Sequence, residues 1–463
     1  MHRDAPRRMR FGSAVALSVI LLVAACGQTD DTSAPVADTP TASSVDSTAT
    51  ASVPEPEPTA TSAPAPEPTA TSAPAPEPDP TATSAPESTV DEAVTDDVSA
   101  ADVYDAPGAL EVPLPLAAGA PGEIIDTEQL DVAGTGLRLL YHSTSATGDD
   151  VAVSGFVLLP EGEPPEGGWP LVAWAHGTTG LGDSCAPSHN AETDQLAIAL
   201  TSFGFAVVAT DYEGLGTPGV HPYVVGPSQA HSVLDSVRAV RNLDLPVTDR
   251  WLAFGHSQGG HAAMFTAQLQ PSYAPELELI GTIAGAPPSQ IETLNDSLIG
   301  SDFQGYLVMT ASGLAAAYDN LDLADVFTPE AIDLLDVVET GCTAEIFDVF
   351  NPLDYATVSA VADPFQLEDW SEAIAIQETS LLPTTAPLLI IHGGDDEQIP
   401  VETSATLFER LCGLDGQAET VRIVYPGQSH AGVLTNFVAV PDILAFAQGR
   451  FAGAPADDQC GAG

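Results

Sequence analysis

The chain contains no lysine. Its 11 strongly basic residues are all arginine, set against 65 Asp plus Glu, for a formal net charge of −54 over 463 residues. Four of those arginines, Arg3, Arg7, Arg8 and Arg10, precede Phe11. A surface this acidic repels nucleic acid and anionic membranes, which argues against both as polymeric partners. It is best tolerated where dissolved salt screens self-repulsion, so a saline habitat is one reading. Cysteine is also scarce, at five residues. No Cys-x-x-Cys pair occurs, so neither a zinc site nor a dithiol redox motif is indicated. His189, His221, His231 and His261 lack partners at metal-ligand spacing and read as surface or packing residues. No metal is expected.

The N-terminal apolar run, residues 11–25, is too short for a comfortable membrane-spanning helix. Behind the cluster of arginines it reads as an export signal. It ends Leu22-Val23-Ala24-Ala25-Cys26, which resembles a bacterial lipobox. Residues 1–26 are then a lipoprotein signal, with Cys26 the lipidated N-terminus after cleavage. The alternative is an ordinary secretory peptide with Cys26 incidental. Either way the chain is extracytoplasmic, and a membrane would be met only through that anchor. Residues 27–105 are rich in Thr, Ala, Ser, Pro and acid. A decapeptide starting at Glu57 repeats from Glu67 and again, with an insertion, from Glu77. Such a segment buries nothing and its prolines stiffen it, so it reads as an extended tether.

Residues 106–460 carry the one large core. Apolar, strand-like runs recur at 137–141, 151–159, 171–175, 205–210, 251–254, 279–284, 388–391 and 421–425. Helical patterns such as 191–203 and 228–243 separate most of them. That alternation predicts an α/β fold with a mostly parallel central sheet flanked by helices. Gly148-Asp149-Asp150 joins the first two runs as a hairpin-like turn, so that end of the sheet is expected to be antiparallel. Between 287 and 383 the alternation stops. Helical stretches at 314–318 and 329–338 make this an insertion after the sixth strand-like run.

Gly255-His256-Ser257-Gln258-Gly259 reads G-x-S-x-G and follows the apolar run Trp251-Leu252-Ala253-Phe254. A serine on a sharp strand-to-helix turn presents its hydroxyl at the sheet end, as a nucleophile must. Small glycines let the turn close. His392-Gly393-Gly394-Asp395-Asp396 follows a later apolar run, and Ser429-His430 follows the last one. The order Ser, Asp, His is that of an α/β-hydrolase triad. His430 would take the serine's proton, and a carboxylate would orient the imidazole. Two aspartates, Asp395 and Asp396, compete for that third role. His176-Gly177-Thr178 follows another apolar run. Its turn would offer the backbone N–H of Thr178 to an oxyanion, with the N–H of Gln258 as second donor. His256 reads as packed, and His392 as structural in its turn.

Trp174-Ala175-His176-Gly177-Thr178-Thr179-Gly180, the following Cys185-Ala186-Pro187-Ser188, and Asp211-Tyr212-Glu213-Gly214-Leu215-Gly216-Thr217 with His221-Pro222-Tyr223 carry a more specific likeness. Together with residues 255–260, Asp396 and His430, they resemble the secretory lipase family, the group that includes fungal lipase A. The likeness covers about residues 107–460. It implies an α/β-hydrolase fold, a helical cap inserted after the sixth strand, and lipase or esterase activity without a cofactor. In hydrolases of this kind the segment after the late strand resembles H-G-x-x-D-x-x-V-P, which puts the acid at Asp396. Gln258 is bulkier than the Gly expected after the nucleophile.

If Cys26 is lipidated, four cysteines remain, and outside the cytoplasm they suggest two disulfides. Of three pairings, the expected one joins Cys185 to Cys342, tying the oxyanion-side loop to the insertion. It also joins Cys412 to Cys460, pinning the C-terminus to a late helix. The expected activity is hydrolysis of a small-molecule or lipid ester by a monomer. Acyl transfer and peptide hydrolysis share the same triad. A non-catalytic binding protein on a hydrolase fold is the rival from another class.

Overall fold

A computed structural model describes residues 110–461. The signal, Cys26 and the tether lie outside the described residues. The strands are β1 Ile124–Gln129, β2 Thr135–Thr144, β3 Asp150–Leu159, β4 Trp169–Ala175, β5 Ala206–Thr210, β6 Val247–His256, β7 Glu278–Gly285, β8 Leu388–Gly393 and β9 Thr420–Tyr425. They form one sheet in the order β1-β2-β3-β5-β4-β6-β7-β8-β9. From β5 through β4 and on to β9 every neighbouring pair is parallel. The β1–β2, β2–β3 and β3–β5 pairs are antiparallel. The turn between β2 and β3 holds Gly148 at φ 97°, a left-handed conformation that glycine adopts without a Cβ penalty.

The central strands are apolar because both of their faces are covered. In β4, Leu171, Ala173 and Ala175 face one core, and Val172 and Trp174 face the other. That is the period-two alternation of a strand with two buried faces. Among the helices of eight residues or more, α1 Gln195–Ser202 and the last one, Val440–Phe451, supply the core around Val172 and Trp174. On the opposite face lie α2 Gly226–Asn242 and α3 Gln258–Tyr273, which contribute Val233, Leu234, Val237 and Ala262. Trp251 and Phe254 of β6 are fully buried on opposite faces. Truncating either to alanine is expected to cost about 3–5 kcal/mol.

Strand β1 departs from the expected set. Its residues Ile124-Ile125-Asp126-Thr127-Glu128-Gln129 are half-buried or exposed. An edge strand with one water-facing side needs no apolar run, so hydropathy did not mark it. The insertion therefore follows the seventh strand along the chain, which is the sixth of the apolar runs.

Between β7 and β8 the described residues form helices and turns. The longer helices are α4 Ile291–Leu298, α5 Gln304–Ala317, α6 Thr343–Phe350 and α7 Glu368–Ala375. The expected helix at 329–338 is two short ones, Pro329–Ile332 and Asp336–Thr340. These helices share a core of their own, with Leu307, Val308, Phe327, Phe350 and Trp370. Tyr223, Val224 and Val225, which lead into α2, join that core and fasten it to the sheet. After β8 come α8 Val401–Cys412 and α9 Val440–Phe451.

Candidate active site

Ser257 sits between the end of β6 and the start of α3 with φ 58° and ψ −125°. A non-glycine residue held there is strained, and the surrounding structure must hold it. The N–H of Ser257 donates to Gly285 O at 2.8 Å, at the end of β7. Two glycines make the turn sterically possible. A Cβ on Gly255 would lie 1.9 Å from Gly259 O, and one on Gly259 would lie 1.9 Å from Ala175 O. Ser257 is half-buried.

Asp396 and His430 meet across the ends of β8 and β9. Asp396 Oδ2 accepts from His430 Nδ1 at 2.7 Å. The same oxygen lies 3.2 Å from His392 Nε2. Asp396 Oδ1 accepts from the N–H groups of Gln398 and Ile399 at 2.9 and 2.8 Å. The carboxylate side chain is fully buried. Burial alone would raise its pKa, but hydrogen bonds from His392 and His430 outweigh that and hold it well below the usual carboxylate range. Asp395 is exposed, and its N–H is taken by Gln428 O at 2.9 Å. Of the two aspartates, Asp396 is the one that reaches the imidazole.

The Nδ1 contact makes that nitrogen of His430 the donor and leaves Nε2 as the basic position. The backbone N–H of His430 donates to Glu397 Oε2 at 3.1 Å. The rings of His430 and His256 stand 4.7 Å apart, centroid to centroid, which brings His430 beside the residue preceding Ser257. Burial, together with the His430 ring, pushes His256 down to about 3, so it is neutral. It packs, as expected. His392 does more than shape its turn: it also donates to Ile399 O at 3.0 Å and so braces the acid.

Gly177 lies against the nucleophile, where a Cβ built on it would be 3.7 Å from Ser257 Cβ. The N–H groups of Thr178 and Gln258 donate to nothing among the described residues. Gln258 is the first residue of α3, whose early N–H groups have no acceptor within the helix. Thr178 follows Gly177, which lies against the nucleophile, and Gln258 follows Ser257 itself. The loop carrying Thr178 is stitched to the insertion. Thr343 N donates to Thr179 O at 2.9 Å, and the Cys185–Cys342 disulfide closes beside it with a Cα–Cα distance of 5.5 Å. Cys412 and Cys460 form the second disulfide. Both pairs are the expected ones.

The bulk of Gln258 is accommodated by a partner that hydropathy and motifs do not reveal. Its side chain is buried and turns to His221, with Nε2 to Nε2 2.8 Å. His221 Nδ1 faces Glu213 O at 2.7 Å and must donate to it, so its Nε2 accepts from the Gln258 amide. Burial lowers His221 to about 4, which fits the neutral tautomer this arrangement needs. Thr178 has a similar unforeseen partner: its hydroxyl lies 2.9 Å from the Tyr223 hydroxyl. His189 and His261 are buried and His231 is half-buried, so all three pack.

Ser257 opens on a cavity of about 40 Å³ whose walls include Tyr223, Ile291, Leu298, Tyr306 and Ile399. Helices α4 and α5 of the insertion form one side of it. The arrangement places a serine at the mouth of a largely apolar cleft, near an imidazole held by a buried carboxylate.

Residues 187–459 match the family model described as secretory lipase. The chain is 26% identical over 343 residues to the secreted triacylglycerol lipase LIP4 of Malassezia globosa, covering 68% of this chain and 73% of that protein. It is 25% identical over 402 residues to Lipase 6 of Candida albicans, covering 78% and 82%. Among solved structures, Candida antarctica lipase A in its closed state superposes with a TM-score of 0.65 at 20% identity, over 78% of this chain and 89% of that one. The rice cell wall degrading esterase LipA from Xanthomonas oryzae gives 0.61 at 20% identity, over 72% and 98%. The likeness to these two structures is one of fold.

Proposed function

We propose, from the premise that this chain belongs to the secretory lipase family, that Ser257, His430 and Asp396 carry out its ester hydrolysis. The enzyme is a carboxylic ester hydrolase with an α/β-hydrolase fold, and its family places it outside the cytoplasm. Ser257 Oγ attacks the acyl carbon while His430 Nε2 takes its proton. The negative charge that develops on the carbonyl oxygen is met by the N–H groups of Thr178 and Gln258. Asp396 holds the imidazole in the tautomer with Nδ1–H and stabilises its cation. The imidazolium returns the proton to the departing alkoxide, leaving an acyl-enzyme. Water, deprotonated by His430, then releases the acid and restores Ser257.

The observation that carries this reading is the 2.7 Å contact between Asp396 and His430 beside a serine held at positive φ. Helices of residues 287–383 serve as the cap that walls the acyl site. Residues 27–105 act as a tether, and Cys26 carries the lipid that anchors it. A fluorophosphonate probe tests the chemistry. Labelling of the wild type that disappears in Ser257→Ala supports the nucleophile. An unlabelled wild type would favour a binding protein on a hydrolase fold. Radiolabelled palmitate incorporation that persists in Cys26→Ala would remove the anchor.

A further inference from the structure

Two tyrosines line the cleft to which Ser257 opens, and each is tied to a different part of the site. The Tyr223 hydroxyl lies 2.9 Å from Thr178 Oγ1, on the loop proposed to meet the oxyanion. The Tyr306 hydroxyl donates to Gln398 Oε1 at 2.9 Å. Gln398 N in turn donates to Asp396 Oδ1 at 2.9 Å, so this second tie ends on the acid. Burial and the nearby carboxylates of Asp396 and Glu397 push the Tyr306 phenol up to about 12, which keeps it protonated and donating. The two rings face each other, with centroids 6.5 Å apart and planes 7° from parallel. That separation and tilt fall in the range of an offset aromatic stack.

One helix of the insertion holds both rings. Tyr306 and Gly313 stand on α5 at i and i+7, on the same face. A Cβ on Gly313 would lie 2.4 Å from Tyr223 N and 2.6 Å from Tyr223 O, so glycine is what lets the Tyr223 backbone sit this close. Val224, the next residue, is held at φ 58°. A β-branched residue is an outlier there, and such strain persists where the surroundings over-determine it. Behind Tyr306, the Phe347 ring of α6 packs edge-on at 4.8 Å and 82°. The two phenols are thus fixed by packing on their ring sides and send their hydroxyls to different loops.

Resting on the hydrolase reading above, we infer that Tyr223 and Tyr306 form a positioning pair that sets the loop of Thr178 and the loop of Asp396 at one separation. Neither hydroxyl transfers a proton in the reaction. What the pair fixes is the distance between the place where negative charge develops and the carboxylate that holds the base. A misplacement of about 1 Å in such an arrangement costs on the order of 10²-fold in rate. The insertion is then more than a wall, because its helix α5 carries the tie between the two loops.

The test removes the hydroxyls and keeps the rings, in Tyr223→Phe, Tyr306→Phe and the double variant of the full-length protein. The substrate is p-nitrophenyl butyrate. Each kcat is referred to the sites titrated to completion by a fluorophosphonate, so misfolded protein does not count. Each single variant is expected to lose about tenfold in kcat with KM within about twofold, since the rings that wall the cleft remain. The double variant is expected to lose little more than the more impaired single one, because members of one unit do not act additively. Wild-type kcat in both single variants overturns the inference. A change confined to KM also overturns it, since that marks a wall in contact with substrate and nothing more. Losses that multiply in the double variant do so as well. If the wild type neither takes the probe nor hydrolyses the ester, the hydrolase reading falls and the pair falls with it. If the wild type is active and the phenylalanine variants match it, the pair alone falls.

Discussion

Asp396 Oδ2 stands 2.7 Å from His430 Nδ1, while the adjacent Asp395 points into solvent. Two neighbouring carboxylates thus sit in opposite environments. Asp396→Asn keeps the shape but replaces the acceptor with an amide, disfavouring the tautomer that leaves Nε2 basic. Its kcat on a p-nitrophenyl ester is expected to fall on the order of 10³- to 10⁴-fold. Asp395→Asn removes a surface carboxylate and should stay within about threefold of the wild type. Comparable losses in the two variants would refute the assignment of the acid.

The Gln258–His221 contact gives a different signature. In Gln258→Ala the backbone N–H offered to the oxyanion remains. The buried His221 Nε2 loses its donor, however, and an orphaned buried acceptor costs about 1–3 kcal/mol. Thermal unfolding should show that loss of stability, while kcat falls by less than the 10²- to 10³-fold expected when an oxyanion donor itself is removed. A drop in kcat beyond that range with an unchanged melting temperature would mean that the side chain, not the backbone, meets the substrate.

The two disulfides span loops of unequal length, 157 residues for Cys185–Cys342 and 48 for Cys412–Cys460. Loop-closure entropy assigns them about 5 and about 4 kcal/mol. Their functional effects should differ more. Cys185–Cys342 lies beside the loop that carries Thr178, so Cys185→Ala with Cys342→Ala is expected to lower both stability and kcat/KM. The double alanine variant of Cys412 and Cys460 is expected to lower stability alone. Paired denaturant melts and kinetics separate the two effects, and equal kinetic losses would contradict the difference in placement.

Much of this arrangement could be read from the chain because its physical causes are local. Buried parallel strands such as Leu388-Leu389-Ile390-Ile391 must be apolar throughout, so they announce themselves. The turn at Ser257 needs glycine at 255 and 259 for steric reasons that leave a motif. From the residues alone Asp395 and Asp396 are equivalent candidates; it is the resemblance to a hydrolase pattern that favours Asp396, which is the one in contact with His430. What escaped notice depends on distant partners. Strand β1 is half exposed and lacks periodic hydropathy. The pairing of Gln258 with His221, and of Thr178 with Tyr223, joins residues from separate loops.

His261 offers a pH prediction. Its Nε2 lies 2.8 Å from Gln377 O and its Nδ1 3.0 Å from Gln229 Oε1, linking α3 to the insertion. Burial lowers it from 6.5 to about 4. Between those values the unfolded chain binds a proton that the folded chain refuses. The stability contribution is therefore intact above pH 6.5, lost as pH falls toward 4, and flat below. The shift corresponds to about 3 kcal/mol at most. His261→Gln should be less stable than the wild type at pH 7, and the gap should narrow toward pH 4. Melting curves at unit pH steps test this, and a constant gap would show that His261 does not titrate in this window.

The charge balance leads to the last prediction. The described residues contain only Arg138, Arg238, Arg241, Arg250, Arg410, Arg422 and Arg450 as permanent cations. Several of these are already committed, Arg238 to Asp235 and Glu276, Arg241 to Asp249, and Arg138 to Glu128. Most of the carboxylates must then face like charges across water. That repulsion weakens the folded state, because folding brings the charges closer than they are in the open chain. Salt shortens its reach from about 30 Å at 0.01 M to about 3 Å at 1 M. The melting temperature should therefore climb as NaCl rises, most steeply at low concentration where the screening length changes fastest. Matching the ionic strength with a weakly salting-out electrolyte separates screening from enhanced apolar burial, since only screening depends on ionic strength alone. A melting temperature indifferent to salt across this range would mean that the acidic groups are spaced widely enough not to interact, and a saline setting would lose its physical support.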